Sequence, residues 1–168
     1  DLSDKGVLEA EKSGQIIKDL NIKIDISYTS YLKRAIKTLT TILKKNSLEL
    51  KFNTAWQLNE RHYGSLTGLN KMEMSKKIGE DKVHEFRRSW DIKPEALDKK
   101  SPYHPQNIKT YDNMPREILP NTESLKDTYE RVSKYFREEI KKKLENNNVL
   151  ISAHGNSIRA LCKNLFGL

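Results

Sequence analysis

The chain has 168 residues, 32% of them charged, and a formal net charge of +8. This length predicts one domain, residues 1–168, with enough chain to bury a substantial core. The positive charge favours anionic partners, but most lysines are mixed with acids rather than forming the continuous basic stripe of a nucleic-acid-binding protein. The sequence has no apolar run long enough to cross a bilayer, and its single cysteine excludes an intrachain disulfide. We therefore expect a cytoplasmic protein with neither a membrane nor a nucleic acid as its partner.

The first sixty residues alternate between helical and strand patterns. Ser3 is predicted to cap a helix that fades near Asn21, and alternation over 24–28 predicts a strand. Thr29 and Ser30 are then expected to cap a helix over roughly 31–44. Apolar alternation from Leu48 through Leu50 to Leu58 predicts a second strand. This rhythm predicts an α/β fold whose mainly parallel sheet is flanked by helices.

The second half of the chain contains an irregular stretch between helical patterns. Val83, Phe86 and Trp90 have helical spacing. All five prolines then lie between Pro94 and Pro120, a density that no regular helix or strand tolerates. We expect an irregular insertion over 91–121 that borders a site. Thr122 is then predicted to cap a long helix whose apolar stripe reaches Leu144.

The most informative stretch is the strand, turn and helix start around His154. Val149–Ile151 is a short apolar run, and Gly155 can adopt backbone angles that are closed to other residues. Asn156 and Ser157 offer caps for the following helix. Ligands bind at the carboxyl ends of strands in open α/β sheets, and a helix N-terminus attracts anions. Either His154 faces a bound phosphate or carboxylate, or it merely caps a strand.

A polar loop follows Leu58 and packs many functional groups into a short run, residues 59–71. Functional groups concentrate on loops, although a turn-rich connector with solvated charges would look similar. Arg87 and Arg88 add two adjacent arginines on a helix, where both could reach one ligand only near the helix end. The candidate cluster is Arg34, Glu60, Arg61, Tyr63, Lys71, Arg87, Arg88, His154 and Asn156.

These residue types suit phosphoryl chemistry without a metal. Arginine forks match phosphate and carboxylate oxygens, and several of them together stabilise the charge that develops in phosphoryl transfer. A carboxylate among cations is an expected general acid or base. The four histidines are scattered, and neither metal-ligand spacing nor a Walker-type glycine loop is present. We therefore expect no metal at the site.

Several motifs along the chain resemble those of one known family. The pieces are Asp1-Leu2-Ser3 with Gly6, Thr29-Ser30 with Leu32-Lys33-Arg34-Ala35, Leu58-Asn59-Glu60-Arg61-His62-Tyr63-Gly64, Gly68-Leu69-Asn70-Lys71, Arg87-Arg88, Thr122-Glu123-Ser124-Leu125, and Ala153-His154-Gly155-Asn156-Ser157 with Arg159-Ala160-Leu161. Over essentially its whole length, the chain resembles the cofactor-dependent phosphoglycerate mutases of the histidine phosphatase superfamily. The His-Gly pair marks only the superfamily, whereas the Asn-Glu-Arg-His-Tyr-Gly run and the double arginine mark the mutase branch.

The resemblance implies a reaction and a set of roles. It implies interconversion of 3- and 2-phosphoglycerate through a phosphohistidine, which 2,3-bisphosphoglycerate primes. Glu60 would exchange the proton of the substrate hydroxyl, and His154 would steady the phosphoryl group in transfer. The residues expected to hold the carboxylate and phosphates are Arg34, Arg61, His62, Tyr63, Lys71, Arg87, Arg88, Gly155 and Asn156.

The sequence departs from the family in one respect. The nucleophilic histidine of the family lies in an Arg-His-Gly motif upstream of the region that this chain matches, and the 168 residues contain no such motif. The family also continues beyond the point that matches Leu168. The chain thus resembles an internal segment, and we expect these residues alone to be inactive.

Two further functions are open at this stage. A bisphosphoglycerate mutase or phosphatase would share the same site and differ in the balance of rates. A non-catalytic anion- or nucleic-acid-binding module would be compatible with the charge alone. The resemblance favours the isomerase, with small-molecule phosphoglycerates as its partners and a homo-oligomer, dimer or tetramer, as its complete form.

Overall fold

A computed structural model describes residues 1–49 and 51–167, except for the side chain of Lys71. Its helices and strands, in chain order, are α1 Asp4–Asp19, β1 Ile26–Thr29, α2 Lys33–Lys45, β2 Phe52–Thr54, α3 Lys71–Ile78, α4 Glu80–Arg88, α5 Leu125–Tyr135, β3 Val149–Ser152 and α6 Gly155–Phe166. They form two compact units, one made of Asp1–Glu60 with Val132–Leu168 and the other of Arg61–Arg131. We call these the sheet unit and the loop unit. In the described part of the chain, no helix is long and apolar enough to span a membrane.

The sheet unit contains a three-stranded parallel sheet in the order β2-β1-β3. Tyr28 in the central strand lies opposite Asn53 on one side and Ile151 on the other. The short strands of this sheet are connected by crossovers that contain helices, because parallel neighbours cannot be joined by a tight turn. α1 packs against α2, and α2 also contacts β1 and β3. The predicted α/β class with a parallel sheet flanked by helices is confirmed.

The core of the sheet unit lies between the sheet and α2. Ile24, Leu39 and Leu43 form a buried cluster, and Phe52 and Leu150 from the two outer strands pack against it. Leu39 and Leu43 are one helical turn apart, so they face the sheet together. This packing holds β1 and β3 side by side with their carboxyl ends at the same edge.

The N-terminal boundaries of three helices differ from the sequence prediction. α2 begins at Lys33 with Leu32 as its cap residue and no side-chain cap, so Thr29 and Ser30 do not cap it. α5 is capped by Ser124 rather than Thr122, because the Ser124 hydroxyl accepts the Asp127 N–H at 3.1 Å. For α6, the cap residue is His154, so Asn156 and Ser157 lie inside the first turn.

The second predicted strand is much shorter than expected. β2 covers only Phe52–Thr54, and Trp56–Leu58 is a turn of 3₁₀ helix. Leu50, part of the prediction, lies outside the described residues. An alternating pattern cannot distinguish a strand from a short strand followed by a 3₁₀ turn when both bury alternate apolar side chains.

The prediction of a long helix that reaches Leu144 is also wrong for the second half of that helix. α5 ends at Tyr135, the π-helical segment Phe136–Ile140 follows, and Lys141–Glu145 is 3₁₀. Phe136 and Ile140 nevertheless stay buried, so the apolar stripe continues through the π-helical segment, whereas Leu144 in the 3₁₀ segment is 46% exposed.

The loop unit is mainly irregular. α3, α4 and part of α5 are its α-helices, and residues 91–121 contain only 3₁₀ turns and loops. Leu66, Met74 and Val83 form its buried apolar cluster. α3 was not predicted. α4 ends at Arg88, so Trp90 lies outside it, where its ring packs against Tyr129 at 5.5 Å between centroids. That 91–121 is an insertion bordering the site stays a prediction.

Candidate active site

His154 stands between the end of β3 and the start of α6, where the sequence placed it. Its side chain is buried, with only 6% exposed. The Ser30 hydroxyl lies 2.8 Å from Nε2, and the Arg34 Nε donates to Nδ1 at 3.1 Å. An Nδ1 that accepts from arginine cannot carry a proton itself, so the neutral ring has its hydrogen on Nε2 and donates it to Ser30. The imidazole is therefore held at both nitrogens.

The side chains that bond to His154 come from the end of the neighbouring strand and from the next helix. Ser30 directly follows β1, is fully buried, and also accepts the Leu32 N–H at 3.1 Å. Arg34 lies in the first turn of α2. Because β1 and β3 are parallel neighbours, the residues that follow them meet at one edge of the sheet. The sequence had placed Ser30 only as a helix cap, and its contact with His154 was missed.

Gly155 and Asn156 open α6 beside His154. Gly155 does not have a positive φ, and a Cβ there would meet only the Arg159 guanidinium at 3.8 Å. The expectation that this turn needs the freedom of glycine is therefore wrong. Asn156 is half-buried within the first turn. The N–H groups in the first turn of a helix have no partner within the helix, an arrangement that suits an anion beside His154.

The residue before Glu60 is bonded to the segments that carry His154. The Asn59 side-chain oxygen accepts the Tyr31 N–H at 3.0 Å, and the Asn59 carbonyl accepts the Ser157 hydroxyl at 2.6 Å. Tyr31 follows Ser30 in the chain, and Ser157 lies in the first turn of α6. The sheet unit thus joins the two predicted catalytic segments through Asn59. Nothing in the apolar periodicity could have singled out Asn59 or Ser157.

The polar loop in the loop unit is anchored by Glu123. This carboxylate forms a two-pronged ion pair with Arg131, at 2.5 and 2.9 Å, and accepts the His62 N–H at 2.8 Å. The Glu123 main chain bonds to the same loop, since its N–H donates to the His62 carbonyl and its carbonyl accepts the Arg61 Nε. Glu123 and Arg61 are each only 2% exposed.

Side chains of the polar loop also contact other residues of the same loop. The Arg61 guanidinium lies 5.2 Å from the centre of the Tyr63 ring, a cation–π distance. His62 Nδ1 accepts the Gly64 N–H at 3.1 Å. Burial lowers the pKa of His62, and the charges of His104 and Arg131 lower it further, while the Glu123 carboxylate opposes them. That Arg61, His62 and Tyr63 bind substrate stays a prediction.

Arg87 and Arg88 are the last two residues of α4, the position that the sequence required if both are to reach one ligand. Both are exposed and line one surface depression, which also contains Glu80, Asp81 and His84. Cations at a helix C-terminus are favourable there. Lys71 begins α3, and its side chain lies outside the described part of the structure.

The described residues contain no cluster of side chains suited to a metal centre. Among residues 1–49 and 51–167, no group of three or more His, Cys, Asp and Glu side chains could hold a metal ion. The Arg34 guanidinium, which donates to His154, is a hydrogen-bond donor of the kind that suits phosphate oxygens. That the reaction needs no metal stays a prediction.

Comparison with solved structures shows the fold. A mycobacterial glucosyl-3-phosphoglycerate phosphatase superposes with a TM-score of 0.71 and 19% identity, covering 100% of this chain and 68% of that one. The α-ribazole phosphatase from Shigella flexneri gives 0.68 and 18%, with 100% and 68% covered. At this identity the likeness concerns the fold alone.

Sequence comparison shows the family. The model of the histidine phosphatase superfamily (branch 1) matches residues 1–104 and 97–168. A 2,3-bisphosphoglycerate-dependent phosphoglycerate mutase of Pelagibacter ubique is 59% identical over 169 residues, covering 100% of this chain and 71% of the relative. The enzyme of the same name from Staphylococcus saprophyticus is 47% identical, with 98% and 73% covered. The chain belongs to the histidine phosphatase superfamily, branch 1, and within it to the family of the 2,3-bisphosphoglycerate-dependent phosphoglycerate mutases.

Proposed function

We propose that this chain interconverts 3-phosphoglycerate and 2-phosphoglycerate as part of a 2,3-bisphosphoglycerate-dependent mutase. The observation that carries the proposal is the environment of His154: a buried imidazole held by Ser30 and Arg34 at a helix start, with the Glu60 segment bonded to the same elements through Asn59. The similarity to mutases at 46–59% identity supports it. We place the reaction in the cytoplasm, in a homo-oligomer.

His154 and Arg34 act on the phosphoryl group. An imidazole and a guanidinium held in fixed positions stabilise the charge that spreads over the phosphoryl oxygens during transfer, and they need no reorganisation at that moment. Ser30 fixes the orientation of the ring. 2,3-Bisphosphoglycerate supplies the phosphoryl group that primes the phosphohistidine of the family.

Glu60 acts on the substrate hydroxyl. A carboxylate can take the hydroxyl proton as the oxygen attacks the phosphoryl group and return it in the reverse step. The remaining charge of a phosphoglycerate needs several cations and polar groups to hold it. The cations in this role are Arg34, Arg61, Lys71, Arg87 and Arg88, and His62, Tyr63, Gly155 and Asn156 supply polar contacts.

Glu60→Gln tests the proposal. The variant keeps the size and hydrogen bonding of the side chain but cannot accept the proton. We expect kcat to fall about a hundred- to ten-thousand-fold while substrate affinity changes little, because general acid–base steps contribute that much. The assay uses the polypeptide that carries these residues together with the family's Arg-His-Gly segment, and follows 2-phosphoglycerate formed from 3-phosphoglycerate.

Glu11→Gln is the matched control, because Glu11 is an exposed carboxylate on α1 in the same unit as Glu60. It should leave kcat at the parent value. A Glu60→Gln variant that turns over like the parent would remove Glu60 from the chemistry and overturn the proposal.

A further inference from the structure

The peptide bond between Asn59 and Glu60 is held by a side chain from α6. The Ser157 hydroxyl donates to the Asn59 carbonyl at 2.6 Å, and Ser157 is 1% exposed. That carbonyl belongs to the same planar unit as the Glu60 nitrogen and Cα, because the six atoms of a trans peptide lie close to one plane. A bond to the Asn59 oxygen therefore restrains the origin of the Glu60 side chain.

Asn59 is restrained at two further points. Its N–H donates to the Trp56 carbonyl at 2.9 Å, and its side-chain oxygen accepts the Tyr31 N–H at 3.0 Å. These two bonds fix the Asn59 Cα at one end of the Asn59–Glu60 peptide plane, and the bond from Ser157 then resists rotation of that plane. The restraint therefore acts on the orientation of the plane as well as on its position.

The same helix turn carries His154. His154 is the cap residue of α6, its carbonyl accepts the Ile158 N–H at 2.8 Å, and Ser157 is the third residue of the helix. A helical turn fixes the spacing of these residues within narrow limits. One rigid turn thus carries the imidazole at its start and holds the Glu60 peptide through Ser157.

We propose that Ser157 is a positioning residue that sets the place of Glu60 relative to His154. The inference rests on the proposed role of Glu60 as the proton acceptor. Ser157 does not touch the substrate; it acts through the Asn59 carbonyl. A displacement of about 1 Å in a reacting group can lower a rate about a hundredfold, so this restraint bears directly on turnover.

Ser157→Ala tests the inference. Alanine is smaller and is the best helix former, so the variant folds and loses only the hydroxyl. We expect kcat for 3-phosphoglycerate to fall about ten- to a hundredfold while KM changes little, because groups that bind the substrate are untouched. The NMR order parameter of the Glu60 N–H should fall as well, a readout that needs no turnover.

Ser133→Ala is the matched control. Ser133 also presents a buried helical hydroxyl in the sheet unit, is 1% exposed, and its hydroxyl has no hydrogen-bond partner among the described residues. Removing that hydroxyl should change neither kcat nor the Glu60 order parameter. Equal losses of kcat in both serine variants would show a general effect of core hydroxyls and overturn the inference.

A double-mutant cycle separates this inference from the proposed function. If Ser157 acts through Glu60, Ser157→Ala added to Glu60→Gln should lower kcat no further, because the group it positions no longer transfers a proton. A second, multiplicative loss would overturn the positioning role. If Glu60→Gln alone turns over normally, the proposed function fails. If kcat collapses in Glu60→Gln while Ser157→Ala keeps the kcat of the parent, only the inference fails.

Discussion

The sheet unit and the loop unit hold their predicted functional segments by different means. In the sheet unit, His154 follows a strand that is paired along its length with β1, and Ser30 and Arg34, which bond to it, come from the neighbouring elements. In the loop unit, no strand lies among the described residues, and the segment Arg61–Gly64 is tied mainly to Glu123.

Because the two segments are held differently, different substitutions should displace them. A position fixed by backbone pairing survives the loss of any one side chain, because many ladder bonds define it. The segment Arg61–Gly64 is instead held by the main chain and the buried carboxylate of Glu123, so it depends on that one residue and on its charge balance with Arg131. We therefore expect single substitutions to disrupt the loop unit more readily than the sheet unit.

The largest effect should come from Glu123→Gln. This change leaves the Arg131 guanidinium buried without its counter-charge, a situation that typically costs about 3–5 kcal/mol of unfolding free energy. Urea unfolding followed by circular dichroism measures the loss. The control is Lys93→Met, which breaks the more exposed Lys93–Asp127 pair and should cost at most about 1 kcal/mol. Equal losses in the two variants would refute the anchoring role of Glu123.

A smaller effect is expected from Gly64→Ala. Gly64 has φ +55°, and a Cβ would overlap the Glu95 carbonyl oxygen. The backbone strain alone costs about 1–3 kcal/mol, and the overlap adds to it. Gly79→Ala is the matched control, because Gly79 has φ +85° with nothing within 4 Å of its Cβ position. Thermal unfolding should show a larger loss for Gly64→Ala, and equal losses would contradict the close approach to Glu95.

The smallest effect concerns pH. Burial lowers the pKa of both His62 and His104, and the positive charge of Lys99 lowers that of His104 further. The unfolded chain therefore binds protons more readily near the ordinary histidine value of 6.5. The stability contributed by these rings should be complete above about pH 6.5 and lost progressively as the pH falls below it.

His104→Asn tests the pH effect. The His104 Nδ1 accepts the Gln106 N–H, and an asparagine oxygen can accept the same bond two residues ahead without titrating. Urea midpoints measured between pH 5 and 7 should change less in the variant than in the parent. An unchanged pH dependence would show that His104 does not contribute.

The sequence predicted the sheet unit better than the loop unit, for a physical reason. Apolar spacing and the turn after Ile151 located His154, because burial against a sheet imposes a period. The anchors in the two units are single polar contacts between residues far apart in the chain, such as Ser157 with Asn59 and Glu123 with His62. Such contacts leave no period in the sequence, and Glu123 was singled out only through family resemblance.

The two tryptophans of the chain are divided between the two units. Trp56 lies in the 3₁₀ turn that precedes Asn59 in the sheet unit, and Trp90 packs against Tyr129 in the loop unit. Trp90 is 42% exposed, whereas Trp56 is half-buried, so their emission should differ in wavelength and in access to a quencher. Replacing either one with phenylalanine leaves an intrinsic fluorophore that reports on one unit alone. The chain therefore carries its own spectroscopic label for each of the two units.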